Sequence, residues 1–318
     1  MDDKARYYGF PQDVHDKYQA IPRDADGLIP IEVRADFVRD FQPTWNYWQG
    51  TIARFHMQPL WEDGAPGYNP DYGQPQPAVG TKIHDGEKRG MVLVCAGGGF
   101  VYKAHYECAH VADAFYDMGF NVAVLDYRVQ PYSQALSIGD AKRALRYLRY
   151  NAEKFNTLPD HIAIMGFSAG GMLTNMCATG FDYGDPDAED PIERVSCRPD
   201  AAIPCYGSFS MAAWPGKGLG YNRDFQKKAA QMSPDCLVNV NCPPFFIWQC
   251  QGADDPRNAM NLAGRLAVFG IPFELHLFPY GPHGTALSDG QTGNPAADDP
   301  HVHHWVEMCG EWLKIYGF

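Results

Sequence analysis

In the run "HIAIMGFSAGGMLTNMCATG" (161–180), Ser168 has one glycine two residues before it and another two residues after it. The apolar segment 161–167 reads as a buried strand, and the segment after Gly170 reads as a helix. Glycines at those two places allow a sharp strand-to-helix turn with the serine side chain standing free at its top. A serine hydroxyl is a weak nucleophile at neutral pH and needs a base beside it. Elbows of this kind are followed along the chain by an acid and then a histidine. Of the 11 histidines, His283 in "GPHG" (281–284) combines that order, a loop just past an apolar run and a flanking glycine. The acid falls in "QGADDP" (251–256), past the apolar run 245–250. The register points to Asp255, with its neighbour Asp254 as the alternative. The acid's task would be to orient the imidazole and to stabilise the imidazolium.

A nucleophile of this kind needs a place for the negative charge that develops on the substrate oxygen. The segment "VLVCAGGGFVYKAHYE" (92–107) ends an apolar run in Gly97, Gly98 and Gly99. A nucleotide phosphate is one candidate for such a loop. The pattern is neither GxxxxGK[ST] nor GxGxxG, and Tyr102 and Lys103 stand where a dinucleotide turn needs small residues. The backbone N–H groups of Gly98 and Gly99, with that of Ala169 after the nucleophile, are therefore the expected oxyanion donors. Phe100, Trp214 and the second aspartate, Asp254, are candidate substrate contacts.

The elements that must hold these residues are legible from residue 90 onward. Short apolar runs at 91–95, 121–127, 161–167, 201–206, 245–250 and 273–278 read as buried strands. Between them lie helix-period segments, the clearest being 137–155, where Ser137 and Asp140 suggest a capping box. Strand–helix alternation predicts an α/β fold, a mostly parallel sheet flanked by helices, with its site at the carboxyl ends of the strands. Residues 62–90, dense in Gly, Pro and Asp, read as loops. The expected organisation is an irregular, aromatic, partly helical N-terminal extension over 1–60 and a catalytic domain over 61–318.

The chain has 318 residues, is 45% hydrophobic and carries a formal charge of −12. An acidic chain of this kind argues against nucleic acid or an anionic membrane as partner. The first residues lack the apolar core of a signal peptide, and no stretch is long and apolar enough to span a membrane. Nine cysteines, scattered and without a CxxC pair, suggest a reduced, cytoplasmic setting. Metal binding by "HVHH" (301–304) is disfavoured, because zinc wants a third ligand and the segment reads as part of a terminal amphipathic helix.

Taken in order, "PLWEDGAPGYNP" (59–70), "CAGGGF" (95–100), "VLDYRV" (124–129), "MGFSAGG" (165–171), "ADDPRNAMNLAGRL" (253–266) and "ELHLFPYGPHG" (274–284) carry a resemblance. Over roughly 59–316 the chain resembles bacterial α/β-hydrolase carbohydrate esterases of the acetyl-xylan-esterase-like and acetylesterase-like type. The resemblance implies an α/β-hydrolase fold and hydrolysis of small acyl esters, often acetyl groups on plant-polysaccharide fragments, with no metal or organic cofactor. Two departures stand out: Ala96 replaces the usual His or Pro before the glycines, and the segment after Asp255 is short. A small-molecule or oligosaccharide ester is thus the expected partner. Two other readings of the same residues are an amidase or peptidase and a non-catalytic hydrolase-fold binding protein. Trp45, Tyr47 and Trp48 could form a sugar platform, cover a second copy of the chain, or pack into a core.

Overall fold

The computed structural model describes residues 12–24, 28–213 and 232–318. Apart from single-turn helices, its elements in chain order are α1 (Gln12–Gln19), α2 (Ile31–Ile52), β1 (Gln58–Pro59), β2 (Ala78–Lys82), β3 (Arg89–Cys95), α3 (Ala109–Asp117), β4 (Asn121–Asp126), α4 (Gln134–Tyr150), β5 (Thr157–Phe167), α5 (Ala169–Thr179), β6 (Ala201–Cys205), β7 (Phe245–Cys250), α6 (Pro256–Val268), β8 (Phe273–Phe278) and α7 (Trp305–Ile315). The strands form one sheet in the order β1-β2-β4-β3-β5-β6-β7-β8. β3 through β8 are mutually parallel, and β1 and β2 join antiparallel at one edge.

All six expected strands are present. β2 lies within the stretch 62–90 that reads as loops, and β1 at the end of the segment that reads as an irregular extension. β2 is five residues long, "AVGTK", and its ladder depends on β4 for a partner rather than on its own pattern. Alternation along β3 sends Met91, Leu93 and Cys95 into one core and Val92 and Val94 into the other, as expected for a strand buried on both faces. The strand order reverses around β3, whose two neighbours are β4 and β5. That reversal opens a crevice at the carboxyl ends of β3 and β5, where the glycine loop and the serine turn both begin.

The N-terminal aromatic segment belongs to these cores. Phe37, Phe41 and Trp45 of α2 lie in one core, and Trp48 and Ile52 lie in the other. Trp45 Nε1 donates to the Val101 carbonyl at 3.1 Å, which ties α2 to the loop that follows the glycines. Trp48 Nε1 and Gln49 Nε2 donate to the two oxygens of Asp126, and Lys103 also pairs with that carboxylate. Tyr47, by contrast, is exposed and packs edge-on against His105.

The Lys103 and Asp126 side chains are 4% and 3% exposed, so the pair is desolvated and each charge relies on the other. Asp126→Ala is expected to cost about 3–5 kcal/mol, because it strands a buried ammonium beside two unpaired side-chain donors. Urea unfolding of the variant measures this. A loss below about 1 kcal/mol would show that water reaches Lys103.

Ser137 and Asp140 do not form a capping box. α4 begins earlier, at Gln134, behind Ser133. The Ser137 hydroxyl donates to the Arg128 carbonyl at 2.6 Å, and Asp140 forms a buried ion pair with the Arg128 guanidinium. Both side chains therefore fix the strand-to-helix connection after β4. No described helix is long and apolar enough to cross a membrane.

Candidate active site

Ser168 sits between β5 and α5 with φ 52° and ψ −113°, a conformation that costs a non-glycine residue energy. The flanking glycines are required by contact. A Cβ on Gly166 would run into the Gly170 carbonyl, and a Cβ on Gly170 would run into the Cys95 carbonyl at the end of β3. The turn therefore closes tightly on itself and against the neighbouring strand.

The three glycines after β3 answer to different constraints. A Cβ on Gly97 would lie 2.6 Å from the Phe167 carbonyl and 2.7 Å from Ser168 Cβ, so this glycine lets the loop touch the serine turn. Gly98 has φ 123° and a Cβ there would strike the Tyr102 carbonyl. Gly99 has φ 62° with open space beside it. The loop closes on itself through Val101 and Tyr102 N–H bonds to the Gly98 carbonyl.

His283 follows β8 and meets Ser168. The Ser168 hydroxyl lies 2.7 Å from His283 Nε2. His283 Nδ1 lies 3.0 and 3.1 Å from the two oxygens of Asp254. A carboxylate at Nδ1 only accepts, so Nδ1 carries the proton and Nε2 is left to accept the serine O–H. Burial pulls the imidazole's pKa down. The bond and charge of Asp254, with the charge of Glu107, outweigh it and leave the pKa raised above the ordinary 6.5.

The carboxylate at His283 is that of Asp254, where the sequence register pointed to Asp255. Asp255 is the N-cap of α6: its Oδ1 accepts the Arg257 N–H at 2.9 Å, and its carboxylate pairs with the Arg257 guanidinium. That bond holds the Asp255 carboxyl below its usual range. Asp254, 6% exposed, turns inward toward the imidazole, so it stands behind His283 and not as a separate substrate contact.

A cavity of about 240 Å³ opens here, lined by Gly98, Gly99, Tyr102, Tyr106 and Glu107 together with Ser168 and His283. Phe100, expected as a substrate contact, is 4% exposed and packs edge-on against Tyr127 in the core. Its φ of 59° turns the side chain inward from the loop. Trp214 lies outside the described residues. Glu107 was not anticipated. The signal available was weak: Glu107 is one of two acidic residues in "HYECAHVADAF" (105–115), set between Tyr106 and Cys108 where burial is expected. Away from the cavity, His301 packs edge-on against Phe278 with His304 beside it.

The chain is similar to several known proteins. The BD-FAE family model matches residues 82–262. Endo-1,4-beta-xylanase B of Butyrivibrio fibrisolvens is 31% identical over 282 residues, covering 84% of this chain and 42% of that protein. Acetylxylan esterase of Xylanibacter ruminicola is 30% identical over 95 residues, covering 30% of this chain and 20% of that protein. The chain spans less than half the length of these curated relatives. Among solved structures, an acetyl ester-xyloside bifunctional hydrolase from Caldicellulosiruptor lactoaceticus is 36% identical with a TM-score of 0.73. The match covers 82% of this chain and 96% of that one. With more than half of its length matched by the family model and nearly the whole of that solved structure spanned, the chain belongs to the BD-FAE family and has an α/β-hydrolase fold.

Proposed function

We propose that the protein is a serine esterase that removes short acyl groups, acetyl foremost, from carbohydrate esters. The observation that carries this reading is His283 bridging Asp254 and the Ser168 hydroxyl. Ser168 Oγ attacks the ester carbonyl carbon while its proton passes to His283 Nε2. The carbonyl oxygen becomes an oxyanion facing the N–H groups of Gly98 and Gly99 and that of Ala169 at the start of α5. Collapse breaks the bond to the alkoxide, which takes the proton from His283, and leaves an acyl-Ser168. Water then gives a proton to Nε2 and attacks the acyl carbon, and collapse breaks the bond to Oγ, which takes that proton back from His283 as the carboxylic acid leaves. Asp254 keeps the Nδ1 proton in place and stabilises the imidazolium at both stages.

The preference for acetyl rests on the cavity. Among the described residues its lining is glycine, Ala104, two tyrosines and a carboxylate beside Ser168 and His283, and at about 240 Å³ it is smaller than the roughly 300–1,000 Å³ of most small-molecule sites. A long acyl chain therefore outgrows it, and each methylene left outside forgoes the ~0.8 kcal/mol of a fully buried one. The names of two similar proteins, an acetylxylan esterase and an acetyl ester-xyloside hydrolase, support an acetylated sugar as the ester. Glycoside hydrolysis of the usual kind needs two carboxylates flanking the scissile bond. Among the described residues lining this cavity, only Glu107 carries one.

Hydrolysis of p-nitrophenyl esters from acetate to octanoate tests this reading. The expected result is a fall in kcat/KM of at least about tenfold from acetate to octanoate. A profile that rises with chain length would overturn the acetyl assignment, and no turnover of any ester would overturn the esterase itself.

A further inference from the structure

Glu107 is 2% exposed and stands in the 3-10 turn His105–Glu107 that leads into α3. A carboxylate so placed needs partners for both oxygens. Oε2 accepts the Gly97 N–H at 2.7 Å, and Oε1 accepts the Tyr206 hydroxyl at 2.9 Å. The Tyr206 oxygen itself accepts the Ala286 N–H at 2.9 Å, which commits its own proton to Glu107. Ala286 lies three residues beyond His283, and the Tyr206 ring stands edge-on to the imidazole with centroids 5.1 Å apart. One buried side chain thus gathers the loop after β3, the loop after β6 and the loop after β8.

We propose that Glu107 is a positioning residue, an ionised carboxylate that fastens the glycine loop through one oxygen and the His283 loop through the other. The inference rests on the triad reading above. Both groups that reach Glu107 are donors, so the anion satisfies them and a protonated carboxyl would set hydrogen against hydrogen at one of the two. A donor amide there would do the same. Burial opposes ionisation and raises the Glu107 pKa, against the pull of His283, Tyr206 and Gly97. The anion in turn adds to the charge that favours imidazolium. The groups facing His283 are Asp254, Glu107 and Tyr206. Around Glu107 lie Tyr106, Tyr127, Cys108 and Cys205. Burial pushes Tyr127, Tyr206, Cys108 and Cys205 up, so these four stay neutral. The Lys103 charge nearby is neutralised by Asp126. Asp254 and Glu107 are therefore the charges that the imidazole feels most.

The test is the pH profile of p-nitrophenyl acetate hydrolysis for wild type, Glu107→Gln and Tyr206→Phe, with Ser168→Ala alongside. Glu107→Gln is expected to lower kcat/KM by about 10- to 100-fold through misplacement of the glycine loop. Its acid limb should also move to lower pH, because a charge that favoured imidazolium is gone. Tyr206→Phe keeps the carboxylate but loses both the bond to its Oε1 and the tie to Ala286, so its rate should fall while its acid limb stays near the wild-type position. Wild-type rate and limb in folded Glu107→Gln would overturn the inference, and so would a slow variant whose limb does not move. Should Glu107→Gln fail to fold, a wild-type rate in Tyr206→Phe would overturn it and a slowed rate with an unmoved limb would sustain it. An inactive Ser168→Ala beside an unaffected Glu107→Gln removes this inference alone, whereas an active Ser168→Ala removes the reading beneath it.

Discussion

Ser168→Ala is expected to lower kcat on p-nitrophenyl acetate by roughly 10⁴- to 10⁶-fold while leaving the fold intact. The size follows from what the hydroxyl does. With Oγ removed, His283 Nε2 has no serine proton to take and no acyl-enzyme forms, so only bound water activated by the imidazole remains. Stability should hardly change, because alanine keeps the Cβ and meets the same backbone strain at φ 52°. The serine N–H bond to the Cys205 carbonyl at 3.0 Å also survives the substitution. Rapid-mixing assays give the rate and thermal unfolding gives the stability. Intact-mass analysis of wild type quenched during turnover should show an acetyl adduct on the peptide containing Ser168. Turnover above about 1% of wild type, in protein free of contaminating esterase, would show that Ser168 is not the nucleophile. A double variant, Ser168→Ala with His283→Ala, should be little worse than the single one, since the two residues act as a unit.

How much of this was legible in the sequence follows from which physical constraints are local. The serine turn is local. Gly166 and Gly170 are needed because each would collide with backbone a few residues away or on the adjacent strand, and the spacing records that collision directly. Five of the six parallel strands are likewise local, since burial on both faces demands apolar runs, whereas β8, expected as a buried strand, is half-buried along most of its length and alternates Glu274 and His276 with apolar residues. β1 and β2 were not legible, because antiparallel pairing at an edge asks little of a five-residue strand beyond a partner. The role of α2 was not legible either. Its aromatic residues read more readily as a core than as a platform, and the burial of Trp45 and Trp48 with their bonds to Val101 and Asp126 shows the core for those two. Glu107 bonds to Gly97 nearby in the chain and to Tyr206 far away. Half of that arrangement had no expression in spacing. The capping-box reading of Ser137 and Asp140 failed for a related reason: a tertiary partner, Arg128, satisfies both side chains, and the local motif is not used.

Asp254→Asn is expected to lower kcat/KM by about 10⁴-fold, whereas Asp255→Asn should leave it close to wild type. The two residues are neighbours with opposite duties. Asp255 precedes Pro256 and accepts the Arg257 N–H, the pattern of an N-cap before a proline at the first helical position. That pattern was present in the sequence and already employed one of the two carboxylates. Asp254 is the one free to turn inward, and both of its oxygens reach His283 Nδ1. An asparagine there presents either an oxygen, which keeps the tautomer but loses the charge, or an amide N–H, which forces the proton to Nε2 and blocks acceptance from Ser168. Either outcome slows acylation and deacylation together. The pH profile separates the two variants further. His283 must be neutral to act as base, and its raised pKa places the acid limb of wild-type kcat/KM above the ordinary 6.5. Removing the Asp254 charge deletes the first of the influences that hold it up against burial, so the limb of any residual activity should move to lower pH. In Asp255→Asn the limb should stay where it is, and stability should change little, because asparagine caps a helix about as well as aspartate and the Arg257 pair it gives up is exposed. If Asp255→Asn proved the inactive variant and Asp254→Asn the active one, the 3.0 Å contact between Asp254 and His283 would not be the one used in turnover. The chain would then have to unwind the first turn of α6 to bring Asp255 to the imidazole, at the expense of its bonds to Arg257.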